Sequence, residues 1–328
     1  MAKILVLGSG GMGTACASVL VNNGHDVTIY GIEEAELNDL TSGKNLKYFP
    51  DVFDLPKFKV SNNILSSLEN VEYVLFAIPT KFISEVFKKV ISNLSNKAVI
   101  INVAKGFWPG TNFSVHEQMI TLTKENQFVK GIVSLIGPSF AIDIVKKNIT
   151  AISAVSYDIE LASEIQKIFS NDSFRVYSQL DVKGAEIGSI FKNIIAIASG
   201  MAEGLGYSTN TQVAIITRGI NEMKLYNNLK GGKEETIYGL TGLGDLILTA
   251  LSSKSRNYTF GKNFFDKNFD SSKITIEGLK SIEVIYNEFI KNKILKLPIV
   301  EALYKIIYLK LDVHDVIKSL MTRPLKKE

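Results

Sequence analysis

The sequence predicts two architectures in series: an α/β part built as a doubly wound sheet over residues 1–183, and an all-α part over residues 184–328. Three observations carry this reading. Short apolar runs of strand length alternate with helix-length segments through the first half, the pattern of a sheet covered by helices on both faces. From about Gly184 the strand signals stop and helical periods take over. The stretch Glu186–Gly200 then places Ile187, Ile190, Phe191, Ile194, Ile195 and Ala198 on one helical face.

The first element is the apolar run Lys3–Leu7, followed at once by Gly8-Ser-Gly10-Gly11-Met12-Gly13 and a helical segment over Thr14–Val21. Asp26–Tyr30 reads as the second strand. Strand, G-x-G-x-x-G, helix, strand is the order of a dinucleotide-binding βαβ unit, so a Rossmann-type sheet is expected. Gly8 permits the tight turn, Gly10 lets backbone approach a pyrophosphate, and Gly13 lets helix pack on strand. The helix N-terminus offers N–H groups to phosphate. The ribose-binding acid expected about twenty residues on falls to Glu33 or Glu34, because the second strand ends Tyr30-Gly31-Ile32. No arginine precedes Arg175, which favours NAD and leaves NADP open only through Lys44 or Lys47.

Further strands are expected over Val71–Ile78, Ala98–Val103, Ile132–Ile136, Ala151–Val155 and Phe174–Tyr177, with helices over Lys81–Ser92 and Ile159–Phe169. Ligands of open parallel sheets gather at the carboxyl ends of strands. Lys105, in Ala104-Lys105-Gly106, therefore stands either where chemistry is expected or as a solvated loop lysine. Gly137-Pro-Ser139-Phe-Ala141 is a turn that starts a helix.

In the second half, Lys192 shares a helical face with Ala185, Ser189, Ala196 and Ser199. A face of small residues suits a cleft floor or close helix packing. A lysine desolvated there becomes a proton donor or acceptor near neutral pH; otherwise it reaches solvent or pairs with a structural acid. Helices follow over Thr211–Tyr226, Pro298–Tyr308 and Val313–Met321. Asp245, directly after Gly239-Leu-Thr-Gly-Leu-Gly244, is either a helix cap or the partner that positions Lys192. Ser255-Arg256-Asn257 offers a cation and two hydrogen-bonding side chains to a phosphate. Four of the 37 Lys and Arg residues are arginine, so Arg256 suggests a need for the planar fork. His25, His116 and His314 read as surface or packing residues, and no metal-ligand cluster or nucleophile elbow is expected.

Composition sets limits. At 328 residues, 46% hydrophobic and 21% charged, the chain has the profile of a soluble globular protein long enough for two domains. A net charge of +4, with no basic block beyond Lys326-Lys327, argues against nucleic acid. The single cysteine, Cys16, cannot form an internal disulfide, and its position in a packed helix fits a reducing compartment. Ile4–Leu7 is too short for a signal sequence, and Glu186 and Lys192 interrupt the best candidate for a membrane span, so a cytoplasmic protein without integral membrane association is expected.

Together these pieces resemble the NAD(P)-dependent glycerol-3-phosphate dehydrogenases. The match runs in order through Gly8–Gly13, Ala104-Lys105-Gly106, Gly137-Pro-Ser-Phe-Ala141, Phe191-Lys192-Asn193, Thr217-Arg218-Gly219, Gly242-Leu-Gly-Asp245-Leu, Ser255-Arg256-Asn257, Glu277-Gly278 and Leu297-Pro298-Ile299. The resemblance implies hydride transfer between a nicotinamide cofactor and C2 of dihydroxyacetone phosphate or sn-glycerol 3-phosphate, feeding phospholipid synthesis, in a chain that often forms a homodimer. By position it implies Lys192 as acid–base, Lys105 touching substrate and cofactor, and Asp245 and Asn193 arranging the lysine. Ser255, Arg256 and Asn257 become the phosphate clamp, and Gly137, Ser139 and Ala141 a binding loop. Gly11 and Met12 become part of the pyrophosphate turn, and Ile32, Arg256, Thr275 and Glu277 further cofactor contacts. Ile32 stands where some relatives carry a basic or imidazole side chain, which again favours NAD. A β-hydroxyacid dehydrogenase and a non-catalytic NAD-sensing module are the competing readings.

Overall fold

The computed structural model describes residues 1–271, 275–325 and 327. Eight strands form one sheet in the order β3-β2-β1-β4-β5-β6-β7-β8. They are β1 (Lys3–Leu7), β2 (Asp26–Tyr30), β3 (Lys59–Ser61), β4 (Tyr73–Phe76), β5 (Ala98–Asn102), β6 (Val129–Ile136), β7 (Thr150–Val155) and β8 (Phe174–Gln179). Every pairing is parallel except β6 with β7, which is antiparallel. Ile4, Val6, Leu75 and Ile101 point to one face, against the helices Gly11–Asn22 and Ile159–Phe169. Leu5, Leu7, Val74 and Ile100 point to the other, against Thr80–Ile91 and Val115–Thr123. Alternate residues of one strand thus feed two cores, which is why the central strands read as continuous apolar runs.

The expected strand Val71–Ile78 is confined to Tyr73–Phe76, and β3 was not expected at all. With three residues, none of them buried, β3 carries no apolar signal.

After β8 the chain turns helical. Helix Val182–Gly204 has 23 residues, of which only Lys183, Glu203 and Gly204 are not buried. Its small-residue face serves close packing. A Cβ on Gly188 would lie 2.2 Å from the Thr241 carbonyl oxygen, and one on Gly200 would lie 2.1 Å from that of Tyr258. Leu240–Ala250 and Arg256–Lys262 therefore pack backbone-close around this helix, as small residues allow, and Thr209–Lys230 sets Gly219 against the Ile195 side chain. No helix among the described residues is long and apolar enough to cross a membrane. Cys16 is buried in its helix, as the sequence suggests.

Candidate active site

Lys192 and Asp245 lie 53 residues apart and meet because the Leu240–Ala250 segment packs against the Val182–Gly204 helix. Lys192 Nζ donates to Asp245 Oδ1 at 2.7 Å, and Lys105 Nζ donates to Asp245 Oδ2 at 2.7 Å. One carboxylate thus joins a lysine of the helical part to a lysine delivered by the sheet. Asp245 makes no side-chain cap at the start of its helix, and its carboxylate is instead paired with Lys192 and Lys105. The residue is 2% exposed and Lys192 is 7% exposed, while Lys105 retains more solvent access.

Lys105 is carried past the end of β5 by a turn that Asn102 closes on itself. Asn102 Oδ1 accepts from Ala104 N at 2.9 Å and Nδ2 donates to Ala104 O at 3.0 Å. Thr249, one turn after Asp245, completes the group: its Oγ1 donates to the Asp245 carbonyl at 2.6 Å and accepts from Lys192 Nζ at 3.4 Å. The spacing of four residues from Asp245 is the signal that would have found it.

Charge and burial compete here. Burial pushes the Lys192 ammonium down to about 7; Asp245 opposes the shift and Lys105 adds to it. Burial works against ionised Asp245, but the two ammonium groups outweigh it and hold the carboxyl below its usual range. Burial works against charged Lys105 as well, and the Asp245 carboxylate outweighs it, so Lys105 stays above its usual value. At neutral pH the site therefore holds one fixed cation, one fixed anion and one lysine able to gain or lose a proton.

The other expected residues surround this group in two sets. Asn193 is buried, and a Cβ on Gly278 would lie 2.9 Å from both the Asn193 carbonyl oxygen and Asn257 Oδ1. That contact places the Ser255–Asn257 and Glu277–Gly278 segments beside Lys192-Asn193. Two of these side chains have structural duties. Ser255 Oγ accepts from Tyr258 N as an N-cap, and Asn257 Oδ1 accepts from Gly278 N at 3.0 Å. Arg256 pairs with Glu277 at 2.7 Å and is half exposed. Thr275 is partly buried ahead of the helix Glu277–Ile285.

The second set lines the glycine turn. Gly137 adopts φ +153°, a backbone that leaves no room for a side chain against Ile152. Ser139 Oγ donates to the Gly137 carbonyl, and Ala141 packs beside Gly11. Pro138 reaches the neighbourhood of Gly244, so this loop spans from the glycine turn to the segment that carries Asp245.

Two family models match the chain, the NAD-dependent glycerol-3-phosphate dehydrogenase N-terminus over residues 3–162 and C-terminus over residues 181–318. The chain belongs to this dehydrogenase family. It is 45% identical to glycerol-3-phosphate dehydrogenase (NAD(P)+) of Mycoplasma mobile, over 99% of this chain and 98% of the relative. It is 39% identical to the Streptococcus agalactiae serotype V enzyme of the same name, over the same shares. The solved glycerol-3-phosphate dehydrogenase of Coxiella burnetii superposes with a TM-score of 0.87 at 30% identity, covering 98% of this chain and 99% of that one. The chain is accordingly an NAD(P)-dependent oxidoreductase.

The dehydrogenase cofactor fits the turn. Gly10 ends the turn with no side-chain cap on the helix Gly11–Asn22, so the N–H groups of its first turn take no capping side chain and suit a phosphate. Gly8 has φ +119°, and a Cβ on Gly13 would lie 1.9 Å from the Gly8 carbonyl oxygen, so only glycine closes this cradle. Met12 is partly buried and packs against the sheet core. Ile32 is 79% exposed beyond β2. Glu33 and Glu34, the expected ribose acids, are also exposed, and it is Glu36, which the sequence reading passed over, that turns inward. Of the histidines, His116 is buried against Ser134 and held near 3 by burial, while His314 is exposed. The cavity of about 430 Å³ lined by Phe107, Glu117, Glu186 and Tyr226 includes none of Lys105, Lys192 and Asp245.

Proposed function

We propose that this chain interconverts dihydroxyacetone phosphate and sn-glycerol 3-phosphate, the nicotinamide supplying or taking the hydride at C2. The observation that carries the residue assignment is the single carboxylate of Asp245 held between Lys192 and Lys105. In the reducing direction Lys192 gives its proton to the C2 oxygen as the alcohol forms, and in the reverse direction neutral Lys192 takes it back. Lys105, fixed as a cation, stabilises negative charge growing on that oxygen. Asp245 holds both ammonium groups in place and keeps Lys192 within reach of either protonation state. Asn193 and Thr249 fix the approach of Lys192, and Arg256, Asn257 and Ser255 receive the phosphate, for which Arg256 must exchange its Glu277 carboxylate.

On this reading residues 1–183 hold the cofactor, through Gly8, Gly10, Gly11, Met12, Gly13, Ile32 and Ala141, with Thr275, Arg256 and Glu277 contributing from residues 184–328. Gly137 and Ser139 border the substrate. A homodimer in the cytoplasm, with its product entering phospholipid synthesis, belongs to the same proposal, and the buried free thiol of Cys16 supports the reducing compartment. The test is substrate choice. NADH should be oxidised on addition of dihydroxyacetone phosphate and not on addition of a β-ketoacid; the opposite preference would mean that the segment around Arg256 receives a carboxylate.

A further inference from the structure

One buried acid stands at the glycine turn without having been predicted there. Glu36 lies in the helix Glu34–Thr41 at 7% exposure. Its Oε2 accepts from Ser9 Oγ at 2.5 Å, and its Oε1 pairs with Lys47 Nζ at 2.5 Å. Ser9 is the residue between Gly8 and Gly10, so the carboxylate of Glu36 is tied to the turn itself, whereas Glu33 and Glu34 face solvent.

The segment that brings Lys47 is tied to the same turn. Asn45 Nδ2 donates to the Ser9 carbonyl at 2.9 Å and to Thr14 Oγ1 at 2.8 Å. A Cβ built on Gly10 or Gly11 would lie 3.7 or 3.6 Å from the Tyr48 ring. Ser9, Glu36 and Lys47 therefore make a fixed edge to the cradle, on the side where β2 ends. In βαβ dinucleotide sites that edge meets the adenosine ribose, and an acid there hydrogen-bonds its hydroxyls.

We infer that Glu36, oriented by Ser9 and Lys47, reads the adenosine ribose and discriminates against a 2′-phosphate, making it the residue that sets the preference for NADH over NADPH. This rests on the cofactor reading above. Each Glu36 oxygen has one partner and retains a lone pair for a ribose hydroxyl. A 2′-phosphate brought to the same place meets a carboxylate that cannot move away, because burial and two bonds hold it. Lys47 offsets part of that repulsion from its exposed position, and released from Glu36 it is free to pair with the phosphate instead.

The experiment is a direct binding titration, following reduced-cofactor fluorescence, of NADH and NADPH on wild type, Glu36→Gln, Lys47→Met and the double variant Glu33→Gln/Glu34→Gln. Glu36→Gln keeps the size and an acceptor oxygen but removes the charge. It should narrow the ratio of NADPH to NADH dissociation constants by about tenfold or more, the scale of one lost like-charge contact. Lys47→Met should widen that ratio, and it carries the test alone if Glu36→Gln does not fold. The Glu33/Glu34 variant should leave the ratio where it is. A ratio unmoved in Glu36→Gln and Lys47→Met, or moved only in the Glu33/Glu34 variant, overturns the assignment. Wild type binding neither cofactor would overturn the cofactor reading itself, a different result from binding with an unmoved ratio.

Discussion

Replacing Asp245 by Asn removes one negative charge and leaves two lysines facing each other. Each ammonium sits 2.7 Å from its carboxylate oxygen. At an effective dielectric of about 20, each pair loses roughly 6 kcal/mol of direct attraction, which desolvation and rearrangement reduce in practice. The consequence falls on Lys192. Asp245 is the main influence holding its proton on against burial and against Lys105. Without it, Lys192 is unprotonated at neutral pH and cannot deliver the proton that ketone reduction consumes. We expect kcat/KM for dihydroxyacetone phosphate reduction at neutral pH to fall about 10²- to 10⁴-fold, the value of a positioned acid–base, with the optimum displaced to lower pH. In wild type the same rate should decline as pH rises through about 7, because the acid must be protonated. The assay is the pH profile of kcat/KM for both proteins, with cofactor affinity measured alongside. An Asn variant that keeps more than about a tenth of the activity on an unshifted profile would show that Asp245 only holds the fold.

Two further outcomes follow from particular contacts. Arg256→Lys keeps the charge but loses the fork, and should lower kcat/KM for dihydroxyacetone phosphate about ten- to a hundredfold while leaving phosphate-free dihydroxyacetone nearly unaffected; equal losses on both would assign Arg256 to its Glu277 contact instead. Glu186 is buried, and burial, aided by Glu117, lifts its carboxyl to about 8 against the opposing pull of Ser114, the His116 backbone and Ser134. Its folded value lies above its unfolded one, so stability from this group is intact below about 4.5 and is lost as pH rises through about 8, in total a few kcal/mol at most. Glu186→Gln should flatten that part of the melting-temperature profile by several degrees; parallel profiles for the two proteins would contradict this.

What the sequence made legible is what local chemistry dictates. Gly8, Gly10 and Gly13 announced the cradle because only glycine tolerates contacts as close as that of Gly13 with the Gly8 carbonyl. The central strands announced themselves through residues buried on both faces. Lys192 stands out because its own helical face carries otherwise only small residues, Ala185, Ser189, Ala196 and Ser199. The rest depends on tertiary contacts that spacing does not encode. Lys105 and Asp245 are 140 residues apart, and whether Asp245 caps a helix or holds a lysine is decided only when the Val182–Gly204 helix packs against it. The antiparallel turn of β7 leaves no mark on an apolar run. Glu36 was passed over because a ribose acid is sought at the strand end, whereas here a helical side chain reaches back to Ser9. The spacing of Arg256 and Glu277 marks no pairing between them, and their contact forms only when the two segments meet in the fold.

In the proposed mechanism the proton is moved by Lys192. The most direct test is the loss of reduced-nicotinamide absorbance when dihydroxyacetone phosphate is added to wild type and to Lys192→Met, which keeps the length of the side chain without its proton. The wild type should oxidise NADH, and the variant, with unchanged cofactor affinity, should be slower by about 10²- to 10⁴-fold. A variant retaining more than about a tenth of the wild-type rate would make Lys192 a structural partner of Asp245 and contradict the mechanism.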